Sequence, residues 1–171
     1  MLLQESQGGL QPSTDMFRAA MRHLPGNVAV ITVGTGSQRS GLVVTSAVSL
    51  AADPPLVMAC VNRSSSSWPL FRRFGHFGVN SLAGHQQDIA ERFSGRHGCK
   101  GTQRYANAEW TTLSTGAPLL VDATVSLDCT LEEMIDRATH SIIIGRVNAI
   151  RVNEGQDALI YWHGGYRTLE R

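Results

Sequence analysis

Short runs of β-branched and aliphatic residues, separated by glycine and proline turns, recur along the 171 residues of this chain. Alternation of apolar and polar positions is typical of β-strands. The predicted strands cover residues 27–33, 42–50, 56–61, 76–82, 123–135, 140–152 and 158–169. The segments between them lack the long helices that a doubly wound sheet would need. The pattern therefore predicts one mainly β domain with a few short helices, folded as a closed or nearly closed antiparallel barrel.

Short helices are predicted at three places between these strands. Thr14 or Asp15 is expected to cap a helix over residues 15–24, and two further helices follow the serine run and the Gln-Gln pair. Residues 1–13 are polar and rich in glycine, so we expect a disordered tail there, followed by a single domain over residues 14–171.

Charge and cysteine content limit the classes of function. The formal net charge is +1, and the basic residues form no dense stripe, which argues against a nucleic-acid partner. Cys60, Cys99 and Cys129 are odd in number and lack a Cys-x-x-Cys spacing, so we expect reduced thiols in a cytoplasmic protein. Neither a signal peptide nor a membrane span is expected.

Several common catalytic motifs are incomplete. Gly34 and Gly36 form a Gly-x-Gly pair, but the third glycine of a dinucleotide-binding fingerprint is misplaced. The sequence has no P-loop and no Gly-x-Ser-x-Gly nucleophile elbow. His97 and Cys99 have no second ligand pair at a zinc spacing, so no metal site is predicted.

Residues 41–62 combine an apolar run with short hydroxyl side chains and one charged residue, Asp53. Hydroxyls and backbone N–H groups bind a phosphate or a polyol without the cost of burying a charge. Ser66 and Ser67 precede a predicted helix beside Arg63, and free N–H groups at a helix start favour an anion. In the alternative interpretation, the hydroxyls face solvent from alternate strand positions and one serine only caps the helix.

These residues resemble the signature of the flavin reductase-like proteins, a family of split-barrel FMN-binding proteins. The similarity includes GLVVTSAVSLAADPPLVMACVNRSSSSWPLF at 41–71. It continues in family order through FGHFGVNSL, AERFSG, RYANAEW, GAPLLVDATVSLDC, THSIIIGRV and ALIYWHGGYRTL, and so covers roughly residues 16 to 169.

The resemblance implies a mainly β, Greek-key split barrel that forms a homodimer and binds flavin near the subunit interface. It also implies flavin contacts in two segments and at two single residues. They are Val44, Thr45, Ser46, Ala47 and Ser49; Cys60, Val61, Asn62, Ser66 and Ser67; and Asn80 and Arg104. The apolar part of the first segment then suits an isoalloxazine ring, and the hydroxyls suit the ribityl phosphate.

Members of the family commonly carry Gly-Asp-His followed by Thr or Ser beside the nicotinamide. Here residues 138–141 read Ala-Thr-His-Ser, so the histidine is retained while the glycine and the aspartate are replaced. The resemblance implies that His140 is the catalytic residue on the nicotinamide side, with His163 and Tyr166 of the C-terminal turn near it. Val43 stands where relatives commonly carry threonine, which removes one side-chain hydrogen bond to flavin.

The implied function is that of an NAD(P)H:flavin oxidoreductase. Such an enzyme transfers hydride from NADH or NADPH to FMN or FAD and supplies reduced flavin to a separate oxygenase component. The alternative is a flavin-binding electron carrier without nicotinamide turnover, which the altered loop at residues 138–140 leaves open. A third hypothesis, an oxidase of the pyridoxine-phosphate type, would require clustered basic residues for a second phosphate, and the sequence lacks them.

Overall fold

The computed structural model describes residues 11–96 and 98–171, so residues 1–10 of the predicted tail, and His97, lie outside the described residues. The helices are α1 (Thr14–Met21), α2 (Trp68–Phe74) and α3 (Gln87–Phe93), with 3-10 turns at Gly36–Gln38 and Gly101–Tyr105. The strands are β1 (Gly26–Asn27), β2 (Ala29–Val33), β3 (Ser40–Val44), β4 (Val48–Ala52), β5 (Pro55–Asn62), β6 (His76–Ser81), β7 (Trp110–Thr111), β8 (Leu119–Leu120), β9 (Val125–Arg137), β10 (His140–Val152), β11 (Ala158–Trp162) and β12 (Gly165–Leu169). The prediction of a mainly β protein with short helices is confirmed.

The strands pair antiparallel throughout the described sheets. The main sheet has the strand order β3-β2-β6-β9-β10-β5-β4, and smaller sheets have the orders β1-β11-β12 and β7-β8. β9 and β10 are 13 residues each and pair over almost their whole length. This long hairpin lies in the middle of the main sheet and carries His140 at its turn.

β2 is buried along its whole length because its two faces contact different apolar clusters. Ile31 belongs to a cluster that also contains Phe71 and Phe77. Val30, on the opposite face, belongs to a second cluster that contains Leu82 and Phe93. Successive side chains of a strand point to opposite faces, so one strand divides the two clusters.

The start and the end of α1 differ from the sequence prediction. Ser13, rather than Thr14 or Asp15, caps the helix, because its side chain accepts a hydrogen bond from the Met16 backbone N–H at 3.2 Å. The helix also ends at Met21 rather than at residue 24, because the backbone N–H groups in the turn before Pro25 donate to carbonyls three residues back instead of four.

The predicted strand over residues 42–50 is interrupted. β3 ends at Val44, β4 begins at Val48, and the bend Thr45–Ala47 lies between them. β3 and β4 occupy the two opposite ends of the strand order in the main sheet. Because three residues carry the chain from one edge strand to the other, the two edges approach each other at this bend.

Within the described ranges, none of the helices has both the length and the apolar character that crossing a membrane requires.

Candidate functional site

A groove of about 850 Å³ opens beside the bend Thr45–Ala47. It is bounded by α1, β3, the bend, one face of β5, the start of β10 and the β11–β12 hairpin, and we call it the main groove. Its volume lies within the range of about 300–1,000 Å³ that is typical of small-molecule sites.

The register of two strands provides one wall of the main groove. On β5, Ala59 and Val61 are fully buried, so Cys60 and Asn62 share the opposite face. Asn62 pairs directly with His140 at the start of β10. Paired residues of an antiparallel ladder project their side chains to the same face. Cys60, Asn62 and His140 therefore form a row along the main groove.

The bend Thr45–Ala47 is held in place by hydrogen bonds to two neighbouring strands. Ser46 Oγ accepts a hydrogen bond from the Cys60 backbone N–H at 2.9 Å, and Asn27 Nδ2 donates to the Ala47 carbonyl at 3.3 Å. The backbone N–H groups of the bend donate to no other group in the part of the chain that the structure describes. Since Thr45 and Ser46 line the main groove, the bend offers fixed, uncharged donors to a ligand.

The serine run after β5 has an internal role. Asn62 Oδ1 accepts hydrogen bonds from the N–H and the hydroxyl of Ser64, at 2.9 and 2.8 Å. Ser67 is fully buried, lies 2.8 Å from the Ser40 hydroxyl and donates to the Gly41 carbonyl at 2.9 Å. It makes no side-chain capping bond to α2. Ser67 thus attaches the start of α2 to β3 and does not line the main groove.

Arg104 is 7% exposed and lies inside the protein. Its Nε donates to the Cys99 carbonyl at 3.1 Å, and its Nη1 donates to the Gly41 carbonyl and to Ser67 Oγ. Burial lowers the pKa of the guanidinium from its ordinary value. Arg104 joins β3 to the 3-10 turn Gly101–Tyr105.

Asn80 on β6 is fully buried as well. Its Nδ2 donates to the Val30 carbonyl at 3.1 Å, while its Oδ1 accepts from the Leu120 N–H at 2.8 Å and from the Ser126 hydroxyl at 3.0 Å. These bonds link β2, β8 and β9, so the structure places Asn80 in the core rather than in the main groove.

The turn between β9 and β10 holds His140 at the main groove. Thr139 Oγ1 lies 2.9 Å from His140 Nδ1. Arg63 donates from its backbone N–H to the Thr139 carbonyl at 3.0 Å and from Nη1 to the Ala138 carbonyl at 3.3 Å. Ala138 has a φ of 46°, a left-handed conformation that glycine adopts without steric cost. The alanine therefore adopts the backbone conformation that a glycine would favour.

The β11–β12 hairpin brings one of its two predicted residues to the main groove. Tyr166 pairs with Tyr161, their rings meet edge to face at 5.2 Å, and both line the main groove. Burial raises the pKa of Tyr166. The N–H of His163 donates to the Arg22 carbonyl at 3.0 Å, and its ring lies 4.7 Å from that of His23. His163 therefore lies against the end of α1, outside the lining.

α1 provides a side of the main groove that was not predicted from the sequence. Phe17 and Met21 line it and stay 57% and 42% exposed. Their i,i+4 spacing was an available signal, because an apolar helix face outside a core must meet a cavity or a partner. Ser94 and Arg96, which follow α3, also line the groove. No pattern in the sequence indicated that these two residues would line the groove.

The predicted site residues fall into two groups. Those that line the main groove are Val44, Thr45, Ser46, Cys60, Asn62, His140 and Tyr166. Those that do not are Ala47, Ser49, Val61, Ser66, Ser67, Asn80, Arg104 and His163. Among the described residues, no group of three or more His, Cys, Asp or Glu side chains could hold a metal ion. The main groove thus presents the uncharged groups of the bend, the His140 imidazole, the Arg96 guanidinium and apolar walls.

Comparison with known proteins shows which family this chain resembles over most of its length. The model of the flavin reductase like domain family matches residues 21–170. FMN reductase (NADH) RutF of Agrobacterium fabrum is 34% identical over 165 residues, which cover 96% of this chain and 93% of that protein. The protein of the same name from Stutzerimonas stutzeri is 37% identical over 153 residues, 90% of this chain and 87% of that protein.

A solved structure is similar over nearly the whole fold. BorF, the flavin reductase component of a bacterial two-component tryptophan halogenase, superposes with a TM-score of 0.85 at 29% identity, covering 93% of this chain and 99% of that chain. The family match covers most of the chain and includes the bend, the turn at His140 and the C-terminal hairpin. The resemblance noted in the sequence is confirmed: this chain belongs to the flavin reductase-like family.

Proposed function

We propose that this protein is an NAD(P)H-dependent flavin reductase. It transfers hydride from NADH to FMN and supplies the reduced flavin to a separate oxygenase component. The observation that carries the proposal is the main groove itself, where Thr45 and Ser46, whose backbone N–H groups have no partner among the described residues, line one cavity with Cys60, Asn62 and His140. Relatives named FMN reductase (NADH) and a neighbour that is the reductase component of a halogenase support the same assignment.

The residues of the main groove fit a flavin. The acceptor-rich edge of an isoalloxazine ring matches the backbone donors of Thr45 and Ser46, and Val43 and Val44 offer an apolar surface for its face. We place the ribityl chain near Cys60 and Asn62, with the backbone of Val61 between these two residues as a further contact. FAD fits the same donors, because the open groove leaves room for an adenosine end.

The predicted contacts outside the lining take supporting roles in this proposal. Ser67 and Arg104 hold the start of α2 against the Gly41 carbonyl, and thereby fix the serine run in which Ser66 is exposed. Asn80 fixes β6 against β2. Ala47 contributes backbone only, and Ser49 on β4 lies beyond the groove.

The chain's own task is to hold two flat rings in contact. When bound, flavin supplies the hydride acceptor, and reduced nicotinamide supplies the hydride. His140 and Tyr166 line the side of the groove left for the nicotinamide. Holding the donor and acceptor atoms at near-attack distance supplies much of the rate acceleration. The walls from Phe17 and Met21 reduce access of water to the rings.

Anaerobic stopped-flow mixing tests the proposed activity. When the protein and FMN are mixed with NADH, the visible absorbance band of the flavin should disappear in a single turnover. Parallel runs with NADPH and with FAD identify the preferred nicotinamide and the preferred flavin. A flavin band unchanged by both nicotinamides would exclude the reductase assignment.

The electron-carrier alternative is favoured only by the altered turn at residues 138–140 and predicts flavin binding without nicotinamide turnover. His140→Ala separates the two functions. In a reductase, kcat/KM for NADH falls by about tenfold or more while the FMN Kd stays unchanged. His85→Ala is the matched control, because His85 is exposed and pairs with Asp122 away from the groove.

We also infer that residues 14–171 form one split-barrel domain that acts as a homodimer. The approach of the two edge strands at the bend Thr45–Ala47 supports closure of the barrel. Exposed apolar side chains support the dimer: Val48 and Leu50 on β4 are 52% and 46% exposed, and Ile150 on β10 is 61% exposed. Sedimentation velocity should give a dimer, and Leu50→Arg should shift it toward the monomer.

The proposed location is the cytoplasm. Cys60, Cys99 and Cys129 are all free thiols in the structure, which suits a reducing compartment where NADH is available. Fractionation of cells that carry a tagged copy tests this assignment.

A further inference from the structure

The turn beside the main groove contains a contact that the family resemblance does not imply. Thr139 Oγ1 lies 2.9 Å from His140 Nδ1, at the position where relatives commonly carry an aspartate. A carboxylate only accepts hydrogen bonds, whereas a hydroxyl both donates and accepts. With threonine in place of aspartate, residue 139 can donate a hydrogen bond to His140 Nδ1, and so can stabilise the tautomer in which Nδ1 carries no proton.

The turn is anchored on two sides, so this contact is not a chance meeting of free side chains. Arg63 bonds to the carbonyls of Thr139 and Ala138 on one side. On the other side, Trp68 Nε1 donates to Ser141 Oγ at 2.8 Å, and that hydroxyl donates to Asp136 Oδ1 at 2.6 Å. The backbone on both sides of Thr139 and His140 is thereby fixed, which leaves the Thr139 hydroxyl facing the ring.

With Nδ1 engaged by Thr139, Nε2 is the ring nitrogen left for a ligand in the main groove. We propose that Thr139 is a positioning residue that donates to His140 Nδ1 and so keeps a neutral imidazole with its proton on Nε2, as a hydrogen-bond donor to the nicotinamide. This inference rests on the proposed reductase function and extends it to a specific proton arrangement at the site.

The charges around this turn come from several elements. Arg137 pairs with His140 across the turn, and Asp136 precedes it on β9. Arg63 follows β5, and Arg72 of α2 lies 3.7 Å from the Asp136 carboxylate. Arg96 lines the same groove after α3. The charged groups around this turn are therefore mostly cationic, and the Asp136 carboxylate is bound to Ser141 and Arg72.

Substitution of the hydroxyl tests the positioning role. Thr139→Val removes the donor at nearly constant volume and should lower kcat/KM for NADH about three- to tenfold, with the FMN Kd unchanged. Thr139→Ser should restore kcat/KM to within about twofold of the wild-type value. Thr102→Val, at an exposed position away from the main groove, should leave kcat/KM for NADH unchanged. If Thr139→Val had the same kcat/KM for NADH as the wild type, the proposal would be overturned.

The pH profile separates positioning from a structural role. Thr139→Asp places a carboxylate beside His140 and favours the imidazolium, so the pH at which kcat/KM for NADH changes with His140 ionisation should move upward by about one unit. Thr139→Asn, which is neutral, should keep the wild-type profile. Coincident profiles for the aspartate and asparagine variants would contradict the assignment.

A measurement without turnover keeps the inference distinct from the proposed function. Imidazole 15N NMR of the wild-type protein should show His140 neutral at pH 7 and protonated on Nε2. Titration should show a higher pKa in Thr139→Asp than in Thr139→Asn. A His140 ring protonated on Nδ1 would overturn the inference even in an active reductase. Conversely, the expected spectrum without flavin reduction by the wild type would leave the tautomer correct and exclude the reductase function.

Discussion

The Ser46 hydroxyl and the Cys60 backbone amide are joined by a hydrogen bond of 2.9 Å, which ties the bend Thr45–Ala47 to β5. The bond spans the two segments that provide most of the predicted flavin contacts. Ser46 thus has a structural task besides lining the main groove, and its hydroxyl is already engaged before a ligand arrives.

Ser46→Ala tests this link. The substitution leaves the Cys60 N–H without its acceptor, so the free energy of unfolding should fall by about 1–2 kcal/mol and FMN binding should weaken. Urea denaturation and fluorescence titration with FMN measure the two effects. Ser49→Ala, on an exposed position of β4, should stay within about 0.5 kcal/mol of the wild type. Equal loss in both variants would contradict the role of the bond.

Gly26→Ala tests the close approach of β1 to the bend. A Cβ on Gly26 would lie 2.8 Å from Thr45 Cβ, so Thr45 must move away from its position in the main groove. Such overpacking costs about 1–3 kcal/mol, and we expect the FMN Kd to rise at least about threefold. Fluorescence titration measures the Kd. An unchanged Kd together with unchanged stability would show that the bend tolerates the shift.

The acid dependence of stability should reflect Asp136. The hydrogen bond from Ser141 lowers the pKa of the Asp136 carboxyl below its ordinary value of 3.8, and the charges of Arg63 and Arg72 lower it further. A carboxyl with a depressed folded-state pKa contributes stability above its unfolded pKa and loses it as the pH falls through the folded value.

Asp136→Asn should therefore destabilise the protein most at neutral pH. The difference between the urea midpoints of the variant and the wild type should shrink as the pH falls below 3.8, where the wild-type carboxyl becomes protonated. Arg137→Gln is a suitable control, since Arg137 adjoins Asp136 and is not among the charges that lower its pKa. A pH-independent difference between Asp136→Asn and the wild type would argue against this ionic contribution.

The three thiols should differ in reactivity. Burial, together with the charge of the neighbouring Asp128, raises the pKa of Cys129 to about 12. The thiolate is the reactive form, so at mildly alkaline pH a thiol reagent should label Cys60 and Cys99 in the native protein and Cys129 only after unfolding. Peptide mass spectrometry measures the sites. Rapid native labelling of Cys129, or loss of the fast phase in Cys129→Ala, would contradict this order.

The strand pattern was predictable because alternation and turn residues act locally. The long β9–β10 hairpin, and β5, which begins at Pro55, correspond closely to their apolar runs. The division between β3 and β4 could not be predicted from the sequence, because the composition of residues 42–50 is typical of a single strand. The bend depends instead on hydrogen bonds from Asn27 and Cys60, which lie elsewhere in the chain.

The candidate site was predictable only in part, because a sequence gives the type of a residue and not its direction. Ser67, Asn80 and Arg104 are polar residues in the expected segments, yet each bonds to backbone or side chains in the interior. Thr45 and His140 reach the main groove because a bend and a strand register place them there. These placements depend on contacts between segments far apart in the chain.

β2 is the common partition between the two apolar clusters, since Ile31 serves one and Val30 serves the other. Both clusters include residues of this one five-residue strand, so a displacement of β2 would disturb both of them. We therefore expect the protein to unfold in one cooperative transition. β3, which lines the main groove and pairs with β2, should lose its structure in that same transition.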